Sequence, residues 1–168
     1  MVRLKHVFLL IIILSIYSCK CKMDNATTEK TNSVNSNMEN TELLTNGYSI
    51  IGKGNLYGSG EEGINASNLV VANKDDWDKL IAQLDSVNKV STGFKDKTVD
   101  FSEYTIIAVF DDVKSSGGHI LDLDVVTNTE NTVINITKKA PSGVSTSVMT
   151  QPYCIIKISK SNLPIVFK

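Results

Sequence analysis

The feature that most constrains the fold is a succession of strand patterns in the second half of the chain. The segment Tyr104–Phe110 reads YTIIAVF, and such an apolar, β-branched run is typical of a central strand buried on both faces. Residues Ile120–Thr127 alternate between apolar and polar side chains, and Thr132–Thr137 alternate again. Because only residues 128–131 separate these two segments, we expect a hairpin. Further short strands are predicted at Tyr48–Ile51, Leu69–Ala72, Tyr153–Ile158 and Ile165–Phe167.

One helix precedes most of these strands. Asn73 is a favourable N-cap residue, and acidic residues follow it in the first turn, where the helix dipole favours negative charge. Apolar residues then recur with helical spacing at Trp77, Leu80, Ile81 and Leu84. The sequence therefore predicts an α+β fold, with a mainly antiparallel sheet of about five to seven strands and one amphipathic helix packed on it. An all-β immunoglobulin-like sandwich is the alternative.

The N-terminus carries the pattern of an export signal. Arg3, Lys5 and His6 precede an apolar run from Val7 to Ile16, which is the order found in secretory signal peptides. The run is shorter than the roughly 20 apolar residues that a membrane-spanning helix needs. Residues 1–18 are therefore predicted to be a signal peptide that is removed from the mature protein.

The end of this signal resembles the lipobox of bacterial lipoproteins. Ile16-Tyr17-Ser18-Cys19 offers an aliphatic residue, a variable residue, a small residue and a cysteine. The resemblance implies cleavage before Cys19 and a lipid on its thiol, with acyl chains such as palmitate. It also implies a place in the bacterial cell envelope, at the periplasmic face or the cell surface. An ordinary signal peptide followed by a chance cysteine is the alternative.

A polar segment separates Cys19 from the first predicted strand. Residues 20–46 are mostly Asn, Thr, Ser, Lys and Glu without periodicity, so residues 19–46 are predicted to be a lipidated, flexible tether. Residues 47–168 are then the single globular domain. Removing the signal takes Arg3 and Lys5 from the 17 basic residues and none of the 18 acidic ones, which leaves a net charge of −3. Since no basic patch stands out, nucleic acid is not an expected partner.

The sequence contains no recognisable catalytic constellation, and we expect no cofactor and no metal. His119 is the sole histidine after the signal, so a multi-histidine metal site is excluded. Cys154 lies in an apolar run and is predicted to be a buried packing residue. The alternative, a Cys154 nucleophile with His119 as its base, would make the protein an enzyme. No G-x-S-x-G elbow accompanies the serines.

Two other patterns have simple structural interpretations. Residues 58–63 read GSGEEG and match the G-x-G-x-x-G spacing of dinucleotide-binding loops. Two glutamates would repel a pyrophosphate there and no amphipathic helix follows, so we expect only a loop. Asp122 and Asp124 could offer carboxylates to calcium, but the calcium-loop pattern is absent, and a solvated strand face is expected instead.

Two irregular segments supply the candidate residues for binding a partner. Gly117 and Gly118 separate two strand patterns, which indicates an unusual turn or bulge. Pro152 opens another strand, where its missing N–H is tolerated. Loops that meet at one end of a sheet commonly bind partners, although purely structural turns are the alternative. The candidates are Ser116, Gly117, Gly118, His119, Pro152 and Tyr153.

The order of several short motifs carries a family resemblance. Trp77 in the acid-led helix is followed by Asp100-Phe101 and by the apolar strand at residues 106–110. The later motifs are Ser116-Gly117-Gly118, Thr150, Pro152-Tyr153, Ile155-Ile156-Lys157-Ile158, Ser161 and Leu163-Pro164. In this order, residues 69–168 resemble the C-terminal domain of the protease complex subunit PrcB family. His119 stands where that family often has an aromatic residue.

The resemblance implies an accessory role and no catalytic residues. The family takes its name from a lipoprotein subunit that accompanies and stabilises a surface serine protease. We therefore expect a non-enzymatic, membrane-anchored domain that binds another exported protein, such as a protease; its oligomeric state is open. One alternative is a protease-inhibitor-like module, because the Gly-Gly loop, Pro141-Ser142-Gly143 and Pro152-Tyr153 approximate the three loops of chagasin-type inhibitors. An uncharacterised hydrolase and a structural envelope protein are the others.

Overall fold

The computed structural model describes residues 47–168, so the predicted signal peptide, Cys19 and the tether lie outside the described residues. This part of the chain contains seven strands and one α-helix, together with a 3-10 turn at Val90–Gly93. The α+β class predicted from the sequence is confirmed. The elements are β1 (Tyr48–Leu56), β2 (Ser67–Val71), α1 (Lys74–Leu84), β3 (Tyr104–Phe110), β4 (Ile120–Thr127), β5 (Thr132–Lys139), β6 (Gln151–Ser159) and β7 (Ile165–Phe167).

The larger sheet has four antiparallel strands in the order β1-β6-β3-β2. β3 is central and is covered on both faces. Ile106, Ala108 and Phe110 belong to one apolar cluster, whereas Ile107 and Val109 belong to another on the opposite face. Because both faces are buried, the strand is apolar throughout rather than alternating, as its sequence predicted.

The helix packs on one face of this sheet through the predicted apolar stripe. The side chain of Asn73 caps the helix by accepting a hydrogen bond from the backbone N–H of Asp76 at 3.0 Å. Trp77, Leu80 and Leu84 are buried against the sheet. The Trp77 indole N–H donates to the Lys97 carbonyl at 3.0 Å, so the buried ring keeps a hydrogen-bond partner.

The smaller sheet has three strands in the order β4-β5-β7. β4 and β5 form the predicted hairpin, and the Asn128 side chain closes its turn by accepting from the backbone N–H groups of Glu130 and Asn131, each at 2.8 Å. β7 pairs with β5 in parallel. The strands are thus divided between two sheets. Strand patterns in the sequence do not indicate which strand belongs to which sheet.

The three layers enclose two apolar clusters, one on each face of the larger sheet. The cluster beneath the helix includes Trp77, Leu84, Phe94, Phe110, Tyr153 and Ile155. The cluster between the two sheets includes Leu121, Leu123, Ile134, Cys154, Ile156 and Ile158. The two sheets place β3 and β6 at the centre of the described part of the chain.

β1 is longer than the sequence predicted, because it continues through Gly52 and Gly54. A Cβ atom at Gly52 would overlap the ring of Phe94. The register with β6 shifts between Ile50 and Gly52, which marks a bulge at the same point. Glycine here permits close packing within a strand rather than ending it.

Candidate partner-binding site

Two loops lie side by side at one end of the larger sheet, and their backbones are hydrogen-bonded to each other. Lys114 and Thr150 form a β-bridge with N–H to carbonyl distances of 2.7 and 3.0 Å. The Thr150 hydroxyl also donates to the Ser116 carbonyl at 2.9 Å, and the Gly117 N–H donates to the Thr146 carbonyl at 3.0 Å. We call residues 114–120 and 140–150 the rim.

The paired glycines allow these loops to approach closely. A Cβ atom at Gly117 would overlap the hydroxyl of Thr146. Gly118 has φ of +84°, and a Cβ there would lie 2.9 Å from Cβ of Pro141. The unusual turn that the sequence predicted is therefore present, and both glycines are required by contacts within the rim.

The rim exposes large apolar side chains to solvent. Val144 is 104% exposed, and Val148 lies against Gly117 while remaining partly open to solvent. Exposed apolar residues concentrated on loops are typical of surfaces that bind other proteins. The sequence pattern did not predict these residues as candidates; the signal for those at 144–149 was a few apolar residues in a Ser- and Thr-rich segment. The set is Ile120, Val144, Val148 and Met149.

A buried carboxylate ties the rim to the two sheets. Asp111 is only 4% exposed, and its carboxylate accepts from the ammonium groups of Lys138 at 2.7 Å and Lys114 at 3.0 Å. Burial acts to raise the pKa of Asp111, but the hydrogen bonds from the two lysines outweigh it and hold the pKa below its usual range. Because Lys138 belongs to β5 and Lys114 to the rim, one anion joins three parts of the fold.

His119 lies in the rim beside a hydroxyl. Its Nε2 is 3.2 Å from Oγ of Ser116, and its carbonyl accepts from the Asn55 side chain at 3.4 Å. A serine activated for catalysis also needs an acid that orients the histidine. Within residues 47–168, no carboxylate is hydrogen-bonded to the His119 ring. The Ser116–His119 contact is therefore best described as a local contact that shapes the turn.

Pro152 and Tyr153 lie in the core rather than on the exposed part of the rim. Both are buried, and the Tyr153 ring stacks with Phe110 at a centroid distance of 6.3 Å. Burial raises the pKa of the Tyr153 hydroxyl. Of the six candidate residues, the structure brings Ser116, Gly117, Gly118 and His119 together in the rim and places these two beneath it. Pro152-Tyr153, one of the three segments compared with chagasin-type loops, thus belongs to a buried strand rather than to an exposed loop.

The Gln151 side chain compensates for the N–H that Pro152 lacks. Asp111 and Pro152 are opposite each other where the pairing of β3 with β6 continues, and the Asp111 N–H donates to the Pro152 carbonyl at 2.9 Å. The reciprocal bond would need an N–H that proline does not have. Instead, Nε2 of Gln151 donates to the Asp111 carbonyl at 2.9 Å and to the Ile64 carbonyl at 2.8 Å. The proline can thus occupy a central strand.

Cys154 has the packing role predicted for it. It is 1% exposed and lies in the cluster between the two sheets. Burial raises the pKa of its thiol to about 11. The thiol is therefore protonated at neutral pH, whereas nucleophilic catalysis uses the thiolate. The geometry does not support a Cys154–His119 catalytic pair.

The glycine-rich segment and the strand aspartates have structural roles in the described part of the chain. Residues 58–63 form turns between β1 and β2, and the Glu62 carboxylate folds back to accept from the Gly58 N–H at 2.9 Å. Asp122 forms an ion pair with Lys53. Among residues 47–168, no group of three His, Cys, Asp or Glu side chains is placed to hold a metal ion. No helix of this part has the length and hydropathy needed to cross a bilayer.

The family comparison covers the strands that carry the rim. Residues 105–159 match the family model described as PrcB C-terminal. The match runs from β3 to the end of β6 and includes both rim loops, whereas α1 and Leu163-Pro164 lie outside it. No curated protein and no solved structure matches the chain. From residue 105 to residue 159 the chain is therefore similar to the PrcB C-terminal family.

Proposed function

We propose that the protein is a lipid-anchored, non-catalytic accessory subunit that binds an exported protein, such as a protease, through the rim. The family match supports association with a protease complex. The observation that carries the proposal is the rim itself, which exposes apolar side chains on two loops held together by backbone hydrogen bonds. Because these loops are fixed before binding, little conformational entropy is lost when a partner covers them.

The chemistry of the described residues supports binding rather than catalysis. The Cys154 thiol is buried, and Ser116 and His119 make contact without an orienting acid. The rim offers apolar contacts at Val144, Val148 and Met149 instead. Such side chains contribute to a protein interface through burial of apolar area, at roughly 25 cal/mol per Å² before the costs of association.

The anchor completes the proposal. Lipid on Cys19, followed by the tether at residues 20–46, would hold the domain at the membrane where exported partners are concentrated. Confinement to one surface raises the effective concentration of the two partners. The lipobox resemblance is what supports this part of the proposal.

The rim is tested by photo-crosslinking in the native host. A photoreactive amino acid replaces Val144 in the full-length protein, and crosslinked material is identified by mass spectrometry. We expect one exported protein, of protease type, to be captured reproducibly. The matched control places the same group at Val126, which is 49% exposed on β4 outside the rim. Equal capture at both positions, or none at Val144, would contradict rim binding.

The anchor is tested separately. Growth with a labelled fatty acid should label the wild-type protein, and Cys19→Ala should abolish the labelling. Cys21→Ala is the control, because Cys21 lies two residues beyond the lipobox cysteine. If Cys19→Ala remained labelled, the lipoprotein assignment would be wrong, while the crosslinking result would stand on its own.

A further inference from the structure

Two of the strand edges in the described part of the chain protect each other. The outer edge of β1 faces β4: the Tyr48 hydroxyl donates to the Leu123 carbonyl at 3.0 Å, and Lys53 forms an ion pair with Asp122. The bulge in β1 adds a further irregularity. Lysines and bulges are devices that prevent an edge strand from pairing with another chain. β1 and β4 are therefore poor sites for an added strand.

β2 is the edge at the other side of the larger sheet and lacks these devices. Its five residues read SNLVV, without a charge or a proline, and their register with β3 is regular. Leu69 and Val70 are both exposed, at 37% and 46%. β7, the remaining edge, has only three residues. Among the four edges, β2 offers the most complete unprotected backbone.

The two exposed side chains of β2 lie on opposite faces of the sheet. Leu69 shares a face with Val71, which belongs to the cluster beneath the helix, and Val70 points to the other face because side chains alternate along a strand. A partner surface resting on one face would cover only one of them. A strand added along the edge would cover both and would pair the free backbone groups of β2.

The charges near the two ends of β2 indicate which partner segment could pair with its free edge. Asp75 follows the C-terminal end of β2, and Asp112 lies two residues beyond Phe110, the partner of Ser67 at the N-terminal end. The neighbouring cations are already paired, Lys74 with Asp78, Lys79 with Asp76 and Lys114 with Asp111. Asp75 and Asp112 are exposed and form no ion pair among residues 47–168. A second copy paired antiparallel would bring these acids near each other, which is unfavourable. A segment with basic residues at both ends would be attracted instead.

We propose that the edge of β2 binds an extended segment of a partner protein, with consecutive apolar residues flanked by lysine or arginine. This surface is separate from the rim and extends the proposed function to a second contact. Backbone hydrogen bonds to β2 would supply affinity, and the flanking charges would set which segment is chosen.

Synthetic heptapeptides test this inference with the full-length protein in detergent. The probe is a peptide of sequence KTVLVTK, and its matched control is ETVLVTE, which differs only in the sign of the end charges. We expect the lysine peptide to bind at least about tenfold more tightly, because its ends meet acids rather than repel them. Hydrogen exchange of the bound wild-type protein should slow specifically at residues 67–71.

A pair of variants locates the site. Val70→Lys places a positive charge on the edge of β2 and should weaken binding of the lysine peptide by about tenfold or more. Val126→Lys changes a valine of similar exposure on β4 and should leave the affinity unchanged. The inference is overturned if the peptide does not bind, if exchange slows elsewhere, or if both variants bind alike. It is also overturned if the protein alone dimerises with residues 67–71 protected, since the occupant would then be a second copy.

Discussion

At the scale of single residues, the conformation of the rim depends on a few positions at which another residue type would introduce strain or remove an ion pair. Gly118 combines a positive φ with close contact to Pro141, and Asp111 is a buried anion held by two lysines. The effect of substituting each of these residues on the free energy of unfolding measures how much the rim contacts contribute to stability.

Gly118→Ala should destabilise the protein by about 2–3 kcal/mol, because it adds backbone strain and a contact with Pro141. Gly143→Ala is the matched control, since Gly143 has φ of +93° with open space around it and should lose only about 1 kcal/mol. Chemical denaturation of both variants measures the difference. Equal losses would mean that the close approach to Pro141 does not matter.

Asp111 gives a prediction for acid pH. Because its folded pKa is depressed, its stabilising contribution is fully present above its unfolded pKa of about 3.9 and is lost as pH falls through the lower folded pKa. Asp111→Asn should cost about 1–3 kcal/mol at pH 7. The cost should shrink toward pH 2 in urea denaturation at a series of pH values. Parallel curves for wild type and variant would contradict this account.

At the scale of secondary-structure elements, the sequence predicts best where local pattern decides. The bounds of β3 and β4 agree with the strand patterns, and the helix begins after its predicted cap. The predicted first strand ended at Ile51, because nothing local reveals that the Phe94 ring packs over Gly52 and that the strand continues through it. Likewise Pro152 indicates an edge or strand end, and only the Gln151 side chain explains how it enters the central strand β6.

Gln151→Met tests this explanation of β6. The substitution keeps the side-chain volume but leaves the Asp111 and Ile64 carbonyls without their donor, so we expect a loss of about 2–4 kcal/mol. Adding Pro152→Ala restores a backbone N–H opposite Asp111 and should recover part of that loss. A double-mutant cycle measured by thermal unfolding gives the coupling. Strictly additive losses would show that the two residues act independently.

At the scale of the whole described molecule, the loops after β3 and before β6 meet because these two strands are antiparallel neighbours in the larger sheet. The sequence predicted the Gly-Gly turn of the rim because the positive φ of Gly118 is a local demand. The contacts of the two glycines with Thr146 and Pro141 are long-range and were not predicted. The sequence did not identify Val144 as the exposed tip, since exposure depends on how the two sheets are placed. The rim is thus a product of tertiary structure, displayed by the segment that matches the PrcB C-terminal family.

The most direct test of the accessory role is the amount of the crosslinked partner in host membranes. Strains carry the wild-type protein, Val144→Asp, Val126→Asp or a deletion, and quantitative immunoblotting compares partner abundance at equal expression. We predict that Val144→Asp lowers the partner to the level of the deletion strain, because a charge at the exposed tip opposes burial in an apolar contact. Val126→Asp should match wild type. If Val144→Asp keeps the partner at the wild-type level, the rim is not the surface through which the protein supports it.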